Sequence, residues 1–349
     1  MKSLLRLLLK TQHRQNHSAP AQTEKGMTLV ELLVGSIMAF LIITPMLAFV
    51  VDMLNTDRRE QVKSNTEQDI QAAVDFISQD LSQAIYIYDN AGITAIRATN
   101  QLPPAPANTT GTPILVFWKR QQIKNSVPVN ATLTPKPSNC NAALPGTAGE
   151  CNDTYVLSLV AYYQIRDTTP NSIWCQPSGG TCPTRIARYE IREPVRNPYT
   201  TDATKPYYDA ADLSDGQKGS EAFNKDFDFN KPTVNVTMGA NFPDPQVLVN
   251  YIHHSSTNVP IPTGAQCQTI LSVTPPPAPA TFNPNDLLIT DGSNHSFYSC
   301  VDTSKNIARV TIRGNSLRRL QTDADYDANK SAYFPTATVQ VQGLGGLGK

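Results

Sequence analysis

The sequence lacks the short motifs by which many enzymes and cofactor-binding proteins are recognised. It has no nucleophile elbow, no Walker loop, no dinucleotide-binding fingerprint and no HExxH pair. These absences exclude the hydrolases, nucleotide-binding proteins and zinc peptidases that such motifs define. We therefore expect no catalytic residues, no enzymatic activity and no organic cofactor.

The chain also lacks a net charge, since 29 basic residues balance 29 acidic ones among its 349 residues. Nothing in this balance suggests a nucleic-acid partner. The charges are unevenly placed, however. The first 26 residues carry five Lys or Arg and a single acid, Glu24, which leaves 24 basic and 28 acidic residues in the remainder.

No CxxC pair is present, and no histidine stands at metal-ligand spacing beside a cysteine. The six cysteines all lie in the second part of the chain: Cys140, Cys151, Cys175, Cys182, Cys267 and Cys300. An even number of cysteines downstream of the apolar run at 27–51, a candidate membrane anchor, favours disulfides in an oxidising compartment, and six free buried thiols are the alternative. Pairing each cysteine with its sequence neighbour is the simplest of the 15 connectivities.

Two other stretches contain metal-binding residue types. His253 and His254 are adjacent, so in a strand they face opposite sides and do not share a metal. The stretch "DADYDANKS" spaces its oxygen ligands as calcium loops do, at Asp323, Asp325, Asp327 and Asn329. The usual Gly and Glu of such loops are replaced by Ala328 and Phe334, so a solvated acidic loop is the competing interpretation. Apart from this weak calcium candidate we predict no metal.

A long apolar run from Met27 to Val51 dominates the N-terminal part, and Glu31 is its only ionisable residue. Its 25 residues exceed the ~20 that a helix needs to cross a bilayer. Basic residues precede it, so we expect a cytoplasmic N-terminus and an exported remainder. A carboxylate within a membrane is a functional candidate by default. Alternatively, Glu31 lies at headgroup depth, or the segment is a plain signal anchor.

The helical pattern includes a proline and continues beyond the apolar run. Pro45 is predicted to kink the helix, and the Thr44 hydroxyl to bond a carbonyl that it frees. Apolar residues then recur at helical spacing, at Ile70, Val74, Ile77, Leu81, Ile85 and Tyr88. The opposite, polar face is assigned to Asp69, Asp75, Gln79 and Asp80. We therefore predict one helix from about Met27 to Tyr88.

Strand-like stretches rich in β-branched and aromatic residues follow residue 89. They are 113–121, 154–166, 185–193, 246–254, 297–302 and 306–317. In "ARYEIRE", apolar residues alternate with Arg188, Glu190 and Arg192, which is typical of a strand with one solvated face. Long Pro-, Thr- and Asn-rich loops separate the strands. We predict an α+β fold in which one antiparallel sheet packs on the C-terminal half of the long helix.

The stretch "EKGMTLVELLVG" closely resembles the type III signal of prepilins, with a basic Lys25, then Gly26, then an apolar run whose fifth residue is Glu31. The resemblance implies that a prepilin peptidase cuts after Gly26 and that the new amino group of Met27 is methylated. It also implies that Glu31 pairs with the N-terminal amine of a neighbouring subunit during assembly. Met27 stands where Phe is commonest in the family.

The rest of the chain resembles the larger minor pseudopilins, of the J type of type II secretion or the W-type minor pilin. "VTIRGNSLRR" and the tail "YFPTATVQVQGLGGLGK" are similar to the hormogonium polysaccharide secretion pseudopilins of filamentous cyanobacteria. This implies a type IV pilin-like fold with a leader (1–26), a transmembrane assembly helix (27–51), a packed helix (52–88) and a β-rich exported domain (89–349).

The resemblance implies a non-catalytic minor subunit of a type IV pilus-like or type II secretion-like fibre, linked to polysaccharide secretion and gliding motility. The chain would be a single-pass inner-membrane protein with a periplasmic domain before it enters the fibre. Its partners would be other pilins or pseudopilins, the prepilin peptidase and the inner-membrane assembly platform. The alternatives are a pilus-tip adhesin that binds polysaccharide through its loops and a signal-anchored periplasmic enzyme.

Overall fold

The structure is a computed structural model that describes residues 28–98, 101–129, 136–140, 151–223, 241–254, 259–260, 262–277, 282–292, 295–322 and 324–344. The chain divides into two compact units, the first ending at Asp57 and the second beginning at Arg58. The boundary falls within the sequence of the first helix. Each unit is described by itself.

The described residues form three α-helices: α1 (Leu29–Ser82), α2 (Asn90–Ala98) and α3 (Gly264–Ile270). The strands are β1 (Ala84–Ile87), β2 (Thr109–Pro128), β3 (Cys151–Asp167), β4 (Thr184–Arg192), β5 (Gln246–Ile252), β6 (Leu288–Ile289), β7 (Phe297–Asp302), β8 (Ile307–Arg313) and β9 (Thr336–Gln342). Short 3₁₀ helices lie at Pro137–Asn139, Ala210–Asp212, Pro284–Leu287, Leu317–Arg319 and Ala328–Tyr333. This is an α+β composition, as the sequence predicts.

The strands form two antiparallel sheets instead of the single sheet predicted. The first has five strands in the order β1-β2-β3-β4-β5, and the second has four in the order β6-β7-β8-β9. Beyond these ladders, the end of β5 meets the residue after β8 through one isolated bridge, Ile252 to Gly314. Strand propensity reports which residues are extended but not which strands share hydrogen bonds, so the division was not visible in the sequence.

Helix α1 ends at Ser82, earlier than the predicted Tyr88. The Ser82 hydroxyl donates to the carbonyl of Gln79 at 2.7 Å, a local bond that competes with further helix. The next residues, "AIYI", form β1 and pair with β2. Ile85 of β1 and Tyr88 just after the strand matched the helical spacing by coincidence, because every residue from 84 to 88 is apolar or aromatic.

The second unit has one main core, to which the C-terminal part of α1 contributes a buried face. Ile70, Val74, Ile77 and Leu81 are buried as predicted, whereas Asp69, Asp75 and Gln79 are exposed. The core also takes side chains from both sheets and from α2. A helix face of this kind is stabilised by tertiary packing more than by its own propensity. The predicted polar face is wrong at one residue, Asp80, which is buried.

Candidate functional site

The first unit presents the apolar segment. Helix α1 is long and apolar enough to cross a membrane, and none of its most apolar 18-residue window is buried. Its large apolar side chains from Leu29 to Leu54 are all exposed in this unit. Exposed apolar surface of this extent is unfavourable in water, so a segment of this composition fits a lipid or protein environment.

Glu31 lies in the first turn of α1. Its backbone N–H donates to the Thr28 carbonyl at 3.0 Å and to the Thr28 hydroxyl at 3.3 Å, so Thr28 caps the described start of the helix. The carboxylate is therefore at the end of the helix where the macrodipole favours negative charge. Gly26 and Met27, the predicted cleavage site, lie outside the described residues.

Pro45 lies inside α1, and the helix continues on both sides of it. The predicted kink stays a prediction. Thr44 donates its hydroxyl to the carbonyl of Phe40 at 2.8 Å. Proline at position 45 lacks the N–H that would bond the carbonyl of Leu41, four residues earlier. The hydroxyl therefore bonds a different carbonyl from the one that the proline frees, contrary to the prediction.

The second unit contains a buried cluster of charged groups around Asp80, which is 7% exposed. Oδ2 of Asp80 accepts from Nε of Arg188 at 2.6 Å and from the Tyr162 hydroxyl at 2.7 Å. Oδ1 accepts from Nζ of Lys119 at 3.0 Å. Glu190 completes the cluster, 2.8 Å from Nη2 of Arg188 and 3.5 Å from Nζ of Lys119. One side chain of α1 is thus bound to β2, β3 and β4.

The environment changes the proton affinity of these groups. Burial by itself raises the pKa of Asp80, but the hydrogen bonds and charges of Arg188, Tyr162 and Lys119 outweigh it and hold the pKa below its usual value. Burial also raises the pKa of Glu190, and Arg188 and Lys119 again bring the net shift below the usual value. Burial and the Asp80 carboxylate raise the pKa of the Tyr162 hydroxyl. Two carboxylates and two cations therefore form a neutral set with Tyr162 as donor.

The sequence contained a signal that Asp80 is buried, and the prediction that placed Asp80 on the polar face of the helix missed it. Position 80 is three residues after Ile77, so Asp80 continues the buried stripe at helical spacing. On β4, Arg188 belongs to the face predicted to be solvated, yet it is buried against Asp80. The cluster thus joins the C-terminal part of α1 to three strands of the sheet within the second unit.

A second polar centre lies at Arg318, whose side chain is fully buried. Its guanidinium donates to the carbonyls of Pro177 at 3.1 Å, Gly179 at 3.2 Å and Thr181 at 3.2 Å. These carbonyls belong to the loop between Cys175 and Cys182. Arg318 lies in the "VTIRGNSLRR" stretch, whose neighbouring Arg319 forms an ion pair with Asp69 of α1. The stretch is therefore structural in this unit, joining the disulfide loop to the helix.

The six cysteines form three disulfides: Cys140–Cys151, Cys175–Cys182 and Cys267–Cys300. These are the three pairs of sequence neighbours, and among the described residues no cysteine is free. Disulfides are typical of an oxidising, exported environment. Separately, helix α1 is long enough and apolar enough to cross a membrane.

The candidate metal residues serve other contacts where they are described. Asp327 caps the last 3₁₀ helix by accepting a hydrogen bond from the Asn329 N–H at 2.9 Å. Oδ1 of Asp325 lies 3.9 Å from Nε2 of His254. Asp323 lies outside the described residues. His253 is buried, and its Nδ1 lies 3.2 Å from Nδ2 of Asn315. Within the described ranges no group of three or more His, Cys, Asp or Glu side chains has the geometry to hold a metal ion.

No family model matches the chain, and the searches of curated proteins and of solved structures also returned no match.

Proposed function

We propose that the chain is a non-catalytic minor pseudopilin, anchored in the inner membrane and incorporated at low copy number into a type IV pilus-like or type II secretion-like fibre. The carrying observation is Glu31, a single carboxylate in the first turn of an exposed apolar helix. It is also the fifth residue after the Gly26 of the prepilin-like signal. We further propose that the fibre supports polysaccharide secretion and gliding motility.

The physical argument concerns charge compensation. Cleavage after Gly26 would create a positive amine on Met27, four residues before Glu31. Each group is costly when it is buried alone in a low-dielectric environment. Each subunit carries one of each charge, so an axial shift between neighbours places the amine of one beside the carboxylate of the next. The pair would act mainly as a register device for assembly.

The size of the second unit favours a low copy number of this subunit in the fibre. It contains two sheets, three disulfides and long connections, for example between β4 and β5. A bulky unit on every subunit would crowd a helical fibre, whereas a tip or initiating position accommodates it. We propose that it contacts other minor pseudopilins, after processing by the prepilin peptidase and delivery to the assembly platform.

The test is the intact mass of the full chain after extraction from membranes. We expect a mature chain that begins at methylated Met27, and an uncut N-terminus would overturn the proposal in favour of a signal anchor. Gly26→Val should block cleavage by placing a branched side chain at the cut. Gly35→Ala is the matched control, because an added Cβ meets nothing within 4 Å in the first unit, and it should be cut normally.

Partner recovery separates the pseudopilin from the adhesin alternative. The processed chain is purified from membranes and its partners are identified by mass spectrometry. Other pseudopilins at near-equal amounts would support the minor-subunit assignment. Recovery of the chain alone, with tight retention on polysaccharide, would support the adhesin instead.

A further inference from the structure

The loop closed by the Cys175–Cys182 disulfide surrounds a side chain that comes from a distant part of the sequence. Nε of Arg318 donates to the Thr181 carbonyl at 3.2 Å, and Nη1 and Nη2 both donate to the Pro177 carbonyl at 3.1 Å. Nη2 also lies 4.0 Å from Sγ of Cys175. Both cysteines are buried. The disulfide therefore forms part of the wall around a buried positive charge.

The loop needs a constraint to present its carbonyls in this arrangement. Gly179 and Gly180 have φ angles of +102° and +65°, and glycine loses more conformational freedom on ordering than any other residue. A disulfide between cysteines that are seven residues apart removes much of that freedom in advance. A guanidinium is costly to bury unless its acceptors are already in place. Closure of the loop and burial of Arg318 are therefore thermodynamically coupled.

The segment 314–319, which carries the buried arginine, also packs against helix α1. Arg319 forms an ion pair with Asp69 of the helix. At the start of the segment, a Cβ added to Gly314 would lie 2.3 Å from Cδ1 of Ile70, so the segment and the helix are in close contact there. The segment thus connects the disulfide loop to one turn of α1 within the second unit.

We propose that the packing of α1 against the segment 314–319 depends on the oxidation of Cys175 and Cys182. In the oxidised chain the closed loop binds Arg318 and holds the segment against the helix. In the dithiol form the loop opens, the guanidinium returns to solvent, and the contact between the segment and α1 loosens.

Closure of the loop is a thiol–disulfide exchange with an external disulfide, either a small molecule or a protein. The two cysteine thiols release two protons and two electrons as the bond between their sulfurs forms, and the external disulfide takes up both and becomes two thiols. A chain made in a reducing compartment thus acquires this packing only after export to an oxidising one. The proposal does not rest on the pseudopilin assignment, because every residue in it belongs to the second unit.

The experiment is hydrogen–deuterium exchange of the full chain in detergent, read by mass spectrometry. In Cys175→Ser/Cys182→Ser, which imitates the dithiol form, we expect the amides of residues 66–74 to exchange at least about tenfold faster. Cys267→Ser/Cys300→Ser is the matched control, because this disulfide is also buried but packs in a separate apolar cluster. It should leave these amides unchanged. Equal acceleration by both variants, or none by the first, would overturn the proposal.

A second variant decides the matter if removal of the disulfide unfolds the unit. Arg318→Met keeps all six cysteines and should also speed exchange at residues 66–74. Removing the Cys175–Cys182 bond in this background should add no more than about a twofold change, because the connection is already lost. Unchanged exchange in Arg318→Met, or full additivity of the two changes, would refute the coupling. Slow exchange of the amides that pair β2 with β3 shows that a variant is folded.

Discussion

Asp80 of helix α1 and Arg188 of strand β4 are 108 residues apart in sequence, yet Nε of Arg188 donates to Oδ2 of Asp80 at 2.6 Å. Both side chains are buried. Removing one member of such a pair leaves the other charge buried and uncompensated, which costs far more than the intact pair contributes. This asymmetry makes the cluster a sensitive test of how α1 is held on the sheet.

Asp80→Asn should therefore destabilise the second unit by about 3–5 kcal/mol, because among the described residues Arg188 and Lys119 would keep only Glu190 as a carboxylate partner. Thermal or urea unfolding measures the loss. The control is Asp75→Asn, the same change at an exposed position of the same helix, which should shift stability by less than about 0.5 kcal/mol. Equal effects of the two variants would show that the cluster does not hold the helix.

Stability should fall on acidification. The pKa of Asp80 is lowered in the folded chain, so the unfolded chain takes up protons first as the pH falls below about 5. Burial lowers the pKa of His253 from 6.5 to about 3, so between these values the unfolded chain again binds more protons. Each group removes up to about 1.4 kcal/mol of stability per pH unit within its window.

Melting temperatures of the full chain between pH 7.5 and pH 3.5 measure this dependence. In His253→Gln the slope between pH 6.5 and pH 4 should become shallower, because the buried imidazole that resists protonation is gone. A slope identical to that of the wild type would contradict the assignment to His253.

Gly343 is predicted to be required for a close approach between the end of β9 and the start of β1. A Cβ at this position would overlap the carbonyl oxygen of Ala84 and lie 2.5 Å from Nδ2 of Asn306. That nitrogen donates to the same carbonyl at 2.9 Å. Gly343→Ala should therefore cost about 1–3 kcal/mol in unfolding free energy.

Gly216→Ala is the control for Gly343, since an added Cβ there meets no atom within 4 Å. It should be neutral or slightly stabilising, because alanine restricts the unfolded chain more than glycine does. Urea unfolding of the two variants gives the comparison. A neutral Gly343→Ala variant would show that β9 and β1 can separate without cost.

For Glu31 we expect that Glu31→Gln leaves membrane insertion and cleavage intact but lowers the fraction of the chain in fibres by at least about tenfold. Removing a charge from an apolar segment makes insertion easier. The neighbour's amine, however, would lose its compensating carboxylate. In a low-dielectric setting the free-energy cost of that loss exceeds about 1.4 kcal/mol, which corresponds to a tenfold change.

The fibre fraction is measured by shearing and quantitative immunoblotting, and the mature mass reports cleavage. Glu60→Gln serves as the control, because the exposed Glu60 lies on α1 beyond the apolar segment and pairs with the half-buried Lys63. Normal incorporation of Glu31→Gln would refute the pairing role of the carboxylate.

Local features were predictable from the sequence because their causes are local. The apolar segment with Glu31 follows from composition, and the strands Phe297–Asp302 and Thr184–Arg192 follow, to within one residue, from runs of β-branched and aromatic residues. The disulfide partners are sequence neighbours, and for two of the three pairs the separation is 11 residues or fewer. Short loops of this kind bring cysteines together with little chain entropy to overcome.

The partners of buried polar residues were decided only by the tertiary structure. The sequence predicted that Asp80 lies on the polar face of the helix. Its burial depends on Lys119 and Arg188, which lie on strands and are 39 and 108 residues away in sequence. The two sheets likewise depended on which strands share hydrogen bonds, which alternation of side chains leaves open. A charge is buried only where its counter-charges arrive from elsewhere in the chain, and that requires the folded arrangement.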